Sequence, residues 1–268
     1  MIAKWLVSLC TLALLVAPVQ ANSDNKRVLF VGNSFSFYSN GIHNHYANLI
    51  RADDSWQAGE HRVRLLTLSG GYIHETGRLL NSYLSSGDDD WDIVVLQGHS
   101  TEPVSKDKSE RFELVMERMI SSLKERSIRP VLFMTWGYQG DADMGASLQR
   151  AYEKVGKAND TLVVPVGAAF AVASHQYPDI SLLVPDVRGV SSSDDDAELT
   201  YRRDVKHPSV AGTYLAACVF YASLHQRSPE GNLFHADLDP DTALKLQQLS
   251  WQVVSAYFGF TAEKSTAG

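Results

Sequence analysis

The sequence predicts a three-layer α/β/α sandwich built on about five parallel strands. Short apolar runs rich in Val, Ile and Leu alternate with longer amphipathic segments along the chain. The runs are apolar on both faces, which is typical of parallel strands buried between two layers of helices. Strands are expected at residues 27–31, 63–68, 93–97, 131–135 and 162–166.

Helices are expected between these strands and after the last of them, which implies right-handed crossovers. The predicted ranges are 42–53, 75–85, 108–126, 145–158, 168–177, 209–226 and 241–258. Pro208 directly precedes the sixth range, where a missing backbone N–H costs little.

The first 21 residues have the pattern of a secretory signal peptide. Lys4 supplies a positive charge, residues 5–16 are almost wholly apolar, and cleavage is expected after Ala21. The apolar run is about a dozen residues, short of the roughly 20 that span a membrane, so an uncleaved anchor is the less favoured alternative. A lipoprotein signal at Cys10 is set aside because Leu9 is too large. We expect an exported chain, periplasmic or extracellular, with one domain over residues 22–268 and no stable membrane insertion.

Charge and cysteine content narrow the possible partners. The formal net charge is −7 at pH 7, and loss of Lys4 with the signal peptide makes it −8. An acidic chain is not expected to bind nucleic acid or an anionic membrane surface. Cys218 is the one cysteine outside the predicted signal peptide, so no intramolecular disulfide is expected.

Small and polar residues follow four of the predicted strands. The carboxyl ends of parallel strands meet at one edge of a sheet, so these segments are expected on a common rim. In chain order they are Gly32-Asn33-Ser34, Ser69-Gly70-Gly71, Gly98-His99-Ser100-Thr101 and Trp136-Gly137-Tyr138.

Asp204 and His207 form an Asp-x-x-His pair before the last helices. In a turn, this spacing lets the carboxylate reach Nδ1–H of the histidine. Nε2 then faces a serine on the same rim and can take its proton. Taken alone, the spacing is more typical of a helix N-terminal Asp followed by a surface histidine.

Taken together, residues 32–34, the pair Gly70-Gly71 and the pair Asp204 and His207 resemble the SGNH (GDSL-type) hydrolase superfamily. Residues 91–97 and 134–136 are similar to an uncharacterised bacterial branch of it, a domain of unknown function. The resemblance covers about residues 28–228 and is sharpest at 28–36 and 204–221. It implies a flavodoxin-like sandwich in which Ser34 is the nucleophile, His207 the general base and Asp204 its orienting partner. It implies no metal and no organic cofactor.

The resemblance also implies an oxyanion hole. The backbone N–H of Ser34 is one donor, and that of Gly70 or Gly71 is a second. The Asn that the family presents after the third strand is missing here. Gln97 carries the same amide on a longer stem and is a candidate third donor, with a structural strand-end glutamine as the alternative. His99 is expected to contact the substrate.

Other features have competing interpretations. Trp136 and Tyr138 form either an aromatic wall for the substrate or a lid over the core. The aspartate runs at residues 88–90 and 194–196 are read as solvated turns, because they lack the spaced ligands of a calcium loop. The polar stretch 188–203 is expected to form a flap.

The sequence therefore predicts a serine ester hydrolase that works through an acyl-enzyme. Export and the pair Gln97-Gly98 favour an O-acetyl or short-acyl ester of a glycan as substrate. A lipid or small-ester hydrolase is the first alternative, and a non-catalytic glycan-binding protein on the same fold is the second.

Overall fold

The computed structural model describes residues 25–54, 56–88, 90–191 and 197–260. The predicted signal peptide, Asp89 and residues 194–196 lie outside these ranges. The centre of the molecule is a five-stranded parallel sheet in the order β2-β1-β3-β4-β5. Its strands are β1 (Arg27–Gly32), β2 (Arg62–Thr67), β3 (Ile93–Leu96), β4 (Arg129–Phe133) and β5 (Leu162–Val164). The predicted fold class is confirmed, and the strand ends differ from the expected ones by one or two residues.

Helices cover both faces of the sheet. They are α1 (Ser34–Phe37), α2 (Ile42–Arg51), α3 (Ile73–Ser85), α4 (Ser109–Glu125), α5 (Ala142–Ala158), α6 (Val166–Gln176), α7 (Val210–His225) and α8 (Pro240–Phe258). The short α1 was not predicted from the sequence.

Successive residues of β1 point to opposite cores, as the strand pleat requires. Val28 and Phe30 pack in one hydrophobic cluster with α2, α6, α7 and α8. Leu29 and Val31 pack in the other with α3, α4 and α5. All four side chains are buried. The apolar run in the sequence therefore reflects burial on both faces.

Helix α7 is enclosed on all sides. Fourteen of its residues are buried, so it is apolar all round instead of amphipathic. Ser209 caps it by accepting a hydrogen bond from Gly212 N–H at 3.1 Å. Within the described ranges, no helix is long and apolar enough to cross a membrane.

Two small antiparallel ladders lie outside the central sheet, and neither was predicted. Strand β6 (Leu183–Val184) pairs with β9 (His207–Pro208), with Val184 opposite His207. Strand β7 (Val187–Val190) pairs with β8 (Leu199–Tyr201). The β7–β8 hairpin occupies the stretch that was expected to be a flap, and the residues between its strands include 192–196, outside the described ranges.

A polar pair of half-buried His225 and buried Tyr46 lies at the far end of α7. His225 is the last residue of α7 and lies about 22 Å along the helix axis from Val210, at roughly 1.5 Å per residue. Its Nε2 is 2.9 Å from the hydroxyl of Tyr46. Burial, followed by the positive charge of nearby His61, lowers the pKa of His225 to about 4.

We predict that His225 makes folding sensitive to mild acid. Its pKa is ordinarily about 6.5, so between pH 6.5 and 4 the unfolded chain binds a proton that the native state does not. Stability contributed by the neutral imidazole is therefore lost as pH falls, by about 3 kcal/mol at pH 4. His43 also has a pKa lowered to about 4, so urea unfolding from pH 7 to pH 4 should show a fall in both proteins, smaller in His225→Gln than in the wild type by about 3 kcal/mol. The matched control is His175→Gln, at an exposed position, and it should follow the wild type. Parallel curves for wild type and His225→Gln would contradict the assignment.

Candidate active site

Ser34 lies at the point where the first strand ends. Strand β1 stops at Gly32, and Asn33 caps α1 by accepting a hydrogen bond from Phe35 N–H at 3.2 Å. This places Ser34 as the first residue of α1, half-buried at the carboxyl edge of the sheet. The sharp strand-to-helix turn directs its hydroxyl out of the core.

His207 connects Ser34 to a carboxylate. Its Nε2 is 2.8 Å from Ser34 Oγ, as the sequence predicts. Its Nδ1 lies 2.7 and 2.8 Å from the two oxygens of Asp186. The ladder of β6 and β9 produces this arrangement, because Val184 pairs with His207 and Asp186 follows two residues later. The imidazole therefore has one nitrogen on the serine and the other on an aspartate.

The expected contact between Asp204 and His207 is wrong. Asp204 instead accepts a short hydrogen bond from Lys206, its side chain is 42% exposed, and Lys206 lowers its pKa. The prediction assumed a turn before the histidine, but His207 lies in a strand. The segment before His207 is bound to the loop after β4. Gln139 N–H donates to Val205 O, and Trp136 Nε1–H donates to Lys206 O, both at 2.9 Å. No motif in the sequence marks Asp186 as the partner of His207.

Gln97 has the structural role that was the alternative to its candidate role as an oxyanion donor. It is 1% exposed. Its Oε1 accepts from Asn33 N–H at 3.1 Å and Ser36 Oγ at 2.6 Å. Its Nε2 donates to Asn33 Oδ1 and to Gly98 O, each at 2.7 Å. Both amide protons are thus engaged inside the protein, and Gln97 instead fixes Asn33 beside the nucleophile.

The two glycines after β2 have different environments. Gly71 N–H donates to Leu68 O at 2.9 Å, and Gly71 O accepts from Asn33 Nδ2 at 3.1 Å. Gly70 has φ +64°, a left-handed conformation that favours glycine. Within the described residues, the backbone N–H groups of Gly70 and Ser34 donate to no protein atom. Gly70, and not Gly71, is therefore available as the second donor.

An open cavity of about 380 Å³ exposes these groups to solvent. It is lined by Asn33, Ser34, Phe35, Phe37, Tyr38, Ser69, Gly70, His99, Ser100, Lys206 and His207. The sequence-predicted residues Ser34, Gly70, His99 and His207 thus share one cavity.

His99 lines this cavity as an uncharged ring. It is half-buried and stacks on Tyr72 with 4.6 Å between ring centroids. Burial, then the positive charges of Lys108 and Lys206, lower its pKa. A neutral imidazole can donate one hydrogen bond to a substrate and accept another.

Glu102 is a buried carboxylate that the sequence analysis missed. It has no exposed surface, and its Oε2 accepts from Ile73 N–H at 2.9 Å. Arg111 lies 3.7 Å from its other oxygen. Glu102 therefore ties the loop that carries His99 to the start of α3, just after the Gly70 turn.

The two aromatic residues after β4 have separate roles. Trp136 is 1% exposed and stacked between Phe35, at 4.7 Å, and Phe170, at 4.1 Å, so it belongs to the core. Tyr138 is half-buried, and its hydroxyl lies 3.0 Å from Ser100 Oγ. Tyr138 contacts the cavity lining through its hydroxyl, whereas Trp136 packs behind the lining on Phe35.

No protein-family model matches the chain, and no curated protein matches it in sequence. Solved structures do share its architecture. A DUF4886 family protein from Bacteroides uniformis has 16% identity, covering 88% of this chain and 96% of its own, with a TM-score of 0.63. A candidate SGNH hydrolase from Slackia heliotrinireducens has 22% identity, covering 73% and 96%, with a TM-score of 0.53. An acetylxylan esterase from Geobacillus stearothermophilus has 16% identity, covering 75% and 94%, with a TM-score of 0.53. The chain therefore has the SGNH hydrolase fold, and the predicted resemblance is confirmed at that level.

We predict that Gln97→Glu destabilises the protein. The substitution places a second carboxylate oxygen where an amide now donates to Asn33 Oδ1 and Gly98 O. Two buried acceptors then lose their donor, and the free energy of unfolding should fall by about 2 kcal/mol or more. Urea denaturation measures this, with Gln57→Glu at an exposed position as the matched control. Unchanged stability together with lost activity would instead indicate a free amide donor at Gln97.

Proposed function

We propose that this chain is a serine ester hydrolase that works through an acyl-enzyme. The observation that carries the proposal is the position of His207, with Ser34 Oγ 2.8 Å from Nε2 and Asp186 2.7 Å from Nδ1. This is the geometry of a nucleophile, its general base and an orienting carboxylate. A structural histidine would not need a half-buried serine on one side and an aspartate on the other.

In the first half-reaction, His207 Nε2 takes the proton of Ser34 Oγ as the oxygen attacks the ester carbonyl. The carbonyl oxygen becomes an oxyanion, which the backbone N–H groups of Ser34 and Gly70 stabilise. The tetrahedral intermediate collapses, the C–O bond to the alcohol breaks, and His207 returns the proton to the leaving oxygen. The acyl group is then bonded to Ser34.

The second half-reaction repeats these steps with water. His207 takes a proton from water as the water oxygen attacks the acyl carbon, and it returns that proton to Ser34 as the ester bond breaks. Asp186 holds the orientation of the ring and stabilises the imidazolium that forms in each half-reaction.

The proposed substrate is an O-acetyl or other short-acyl ester of a glycan outside the cytoplasm. Two observations support it: the open cavity, with Phe37, Tyr38 and His99 in its lining, suits a polar ring with an acyl group, and acetylxylan esterases share the fold. Export rests on the signal-peptide pattern of residues 1–21. N-terminal sequencing tests it, since a mature chain should begin at Asn22.

A longer acyl chain is the second candidate. The β7–β8 hairpin starts directly after Asp186 and carries four large apolar side chains that are at least half exposed: Val187, Val190, Leu199 and Tyr201. Such side chains could hold an alkyl chain that leaves the cavity.

We predict that turnover of p-nitrophenyl acetate depends on Asp186 and not on Asp204. Ser34→Ala and His207→Ala should lower kcat by about 10⁴-fold or more, and Asp186→Asn by about 10³–10⁴-fold, because an uncharged amide no longer holds and stabilises the ring. Asp204→Asn is the matched control and should retain activity within about threefold, since Asp204 pairs with Lys206. Equal losses in the two aspartate variants would disprove the assignment of Asp186. A folded wild type that is inactive on the acetate ester would contradict the proposed function.

We predict that kcat/KM is highest for acetyl esters and falls by about tenfold or more between acetyl and octanoyl p-nitrophenyl esters. The reason is that the proposed acyl site lies inside the cavity, where polar residues such as Asn33, Ser69 and Lys206 share the lining and a long alkyl chain gains little apolar contact. Acetylated xylan and acetyl-free xylan should be compared in parallel by acetate release. A rise in kcat/KM with chain length, abolished by Val190→Ser together with Leu199→Ser, would favour the long-chain alternative.

A further inference from the structure

Tyr38 contacts every member of the proposed triad. Its backbone N–H donates to Ser34 O at 3.1 Å. Its ring lies over the imidazole of His207, with 3.9 Å between centroids and 12° between planes. Its hydroxyl donates to Asp186 Oδ1 at 2.9 Å. One side chain therefore bridges the base and the carboxylate.

The surrounding structure holds Tyr38 in place. Gly41 N–H donates to its carbonyl oxygen at 2.9 Å, and Thr213 Oγ1 on α7 lies 3.4 Å from the same oxygen. The next residue, Ser39, donates its hydroxyl to Pro208 O on β9 at 2.9 Å. The backbone that carries the phenol is thus tied to both the strand and the helix that flank His207.

Tyr38 is a donor at neutral pH. Burial, then its hydrogen bond to Asp186, raises the pKa of the phenol above its ordinary value of 10. The protonated hydroxyl therefore points its hydrogen at the carboxylate, and it is not free to donate to a substrate as well.

We propose that Tyr38 is a positioning residue of the triad, which orients Asp186 and restrains the ring of His207. This inference rests on the proposed function. Asp186 is 21 residues from His207 in sequence, so no tight turn fixes their geometry. Oδ1 of Asp186 faces both the imidazole and the phenol, and the phenol removes the rotational freedom that the carboxylate would otherwise have.

A positioning role predicts a specific kinetic result for Tyr38→Phe, which keeps the stacked ring and removes the hydroxyl. We expect kcat for p-nitrophenyl acetate to fall by about tenfold, the effect of losing one hydrogen bond to a charged group, with KM changed by less than about twofold. In an Asp186→Ala background the same substitution should cause no further loss, because the hydroxyl then has no partner to orient. Tyr46→Phe, which removes a hydroxyl paired with His225 far from Ser34, is the control and should leave kcat unchanged.

Two kinetic outcomes would overturn the inference while leaving the esterase proposal intact. One is an equal loss from Tyr38→Phe in the wild-type and Asp186→Ala backgrounds. The other is a raised KM with unchanged kcat, which indicates a substrate contact.

A measurement that needs no substrate separates the two proposals. The Nδ1–H proton of His207 should give a far-downfield proton NMR signal in the wild type and in Tyr46→Phe. In Tyr38→Phe the signal should broaden through faster exchange with water. An unchanged signal in Tyr38→Phe would overturn the inference even if no ester were turned over, and absent turnover would count separately against the proposed function.

Discussion

The short ladder between β6 and β9 determines the site. It places His207 opposite Val184 and so brings Asp186 to the imidazole. The ladder is itself fixed where it meets α7, because Ser209 N–H donates to Leu182 O at 2.9 Å. Gly212 packs so closely there that a Cβ would lie 2.1 Å from Leu182 O. Any side chain at Gly212 would push β6 away from β9 and carry Asp186 with it.

A second constraint explains why an asparagine precedes the nucleophile. The side-chain amide of Asn33 both accepts and donates hydrogen bonds: Oδ1 accepts from Gln97 Nε2, and Nδ2 donates to Gly71 O. An aspartate could not donate to the glycine turn. The amides of Asn33 and Gln97 thus join the loops after β1, β2 and β3 into one buried network, which sets the spacing between the N–H groups of Ser34 and Gly70.

The fold could be predicted from the sequence, and so could the site residues Ser34, Gly70, His99 and His207, but for different physical reasons. Strands buried on both faces leave a continuous apolar run, and Ser34 and Gly70 sit where such runs end. The role of Gln97 could not be predicted, since a glutamine that donates to the substrate and one that is buried in the protein can occupy the same position after the third strand. Asp186 was missed because its place depends on β6, a two-residue strand with no periodicity of its own. Asp204 was predicted from its short spacing to His207, whereas the carboxylate that contacts His207 is brought there by tertiary structure.

Asp186 and His207 are 21 residues apart in the sequence, which changes how their geometry is maintained. In an Asp-x-x-His turn, the chain between the two residues limits how far they can move apart. Here the chain between them contains the β7–β8 hairpin, so it sets no such limit. Two of the contacts that set the geometry come from outside that chain, Val184 beside His207 and Tyr38 on the carboxylate. A third lies within it, where Arg202 N–H donates to Asp186 O at 2.8 Å at the base of the hairpin. The acid is therefore positioned by several separate contacts, none of which is made by a strand of the central sheet.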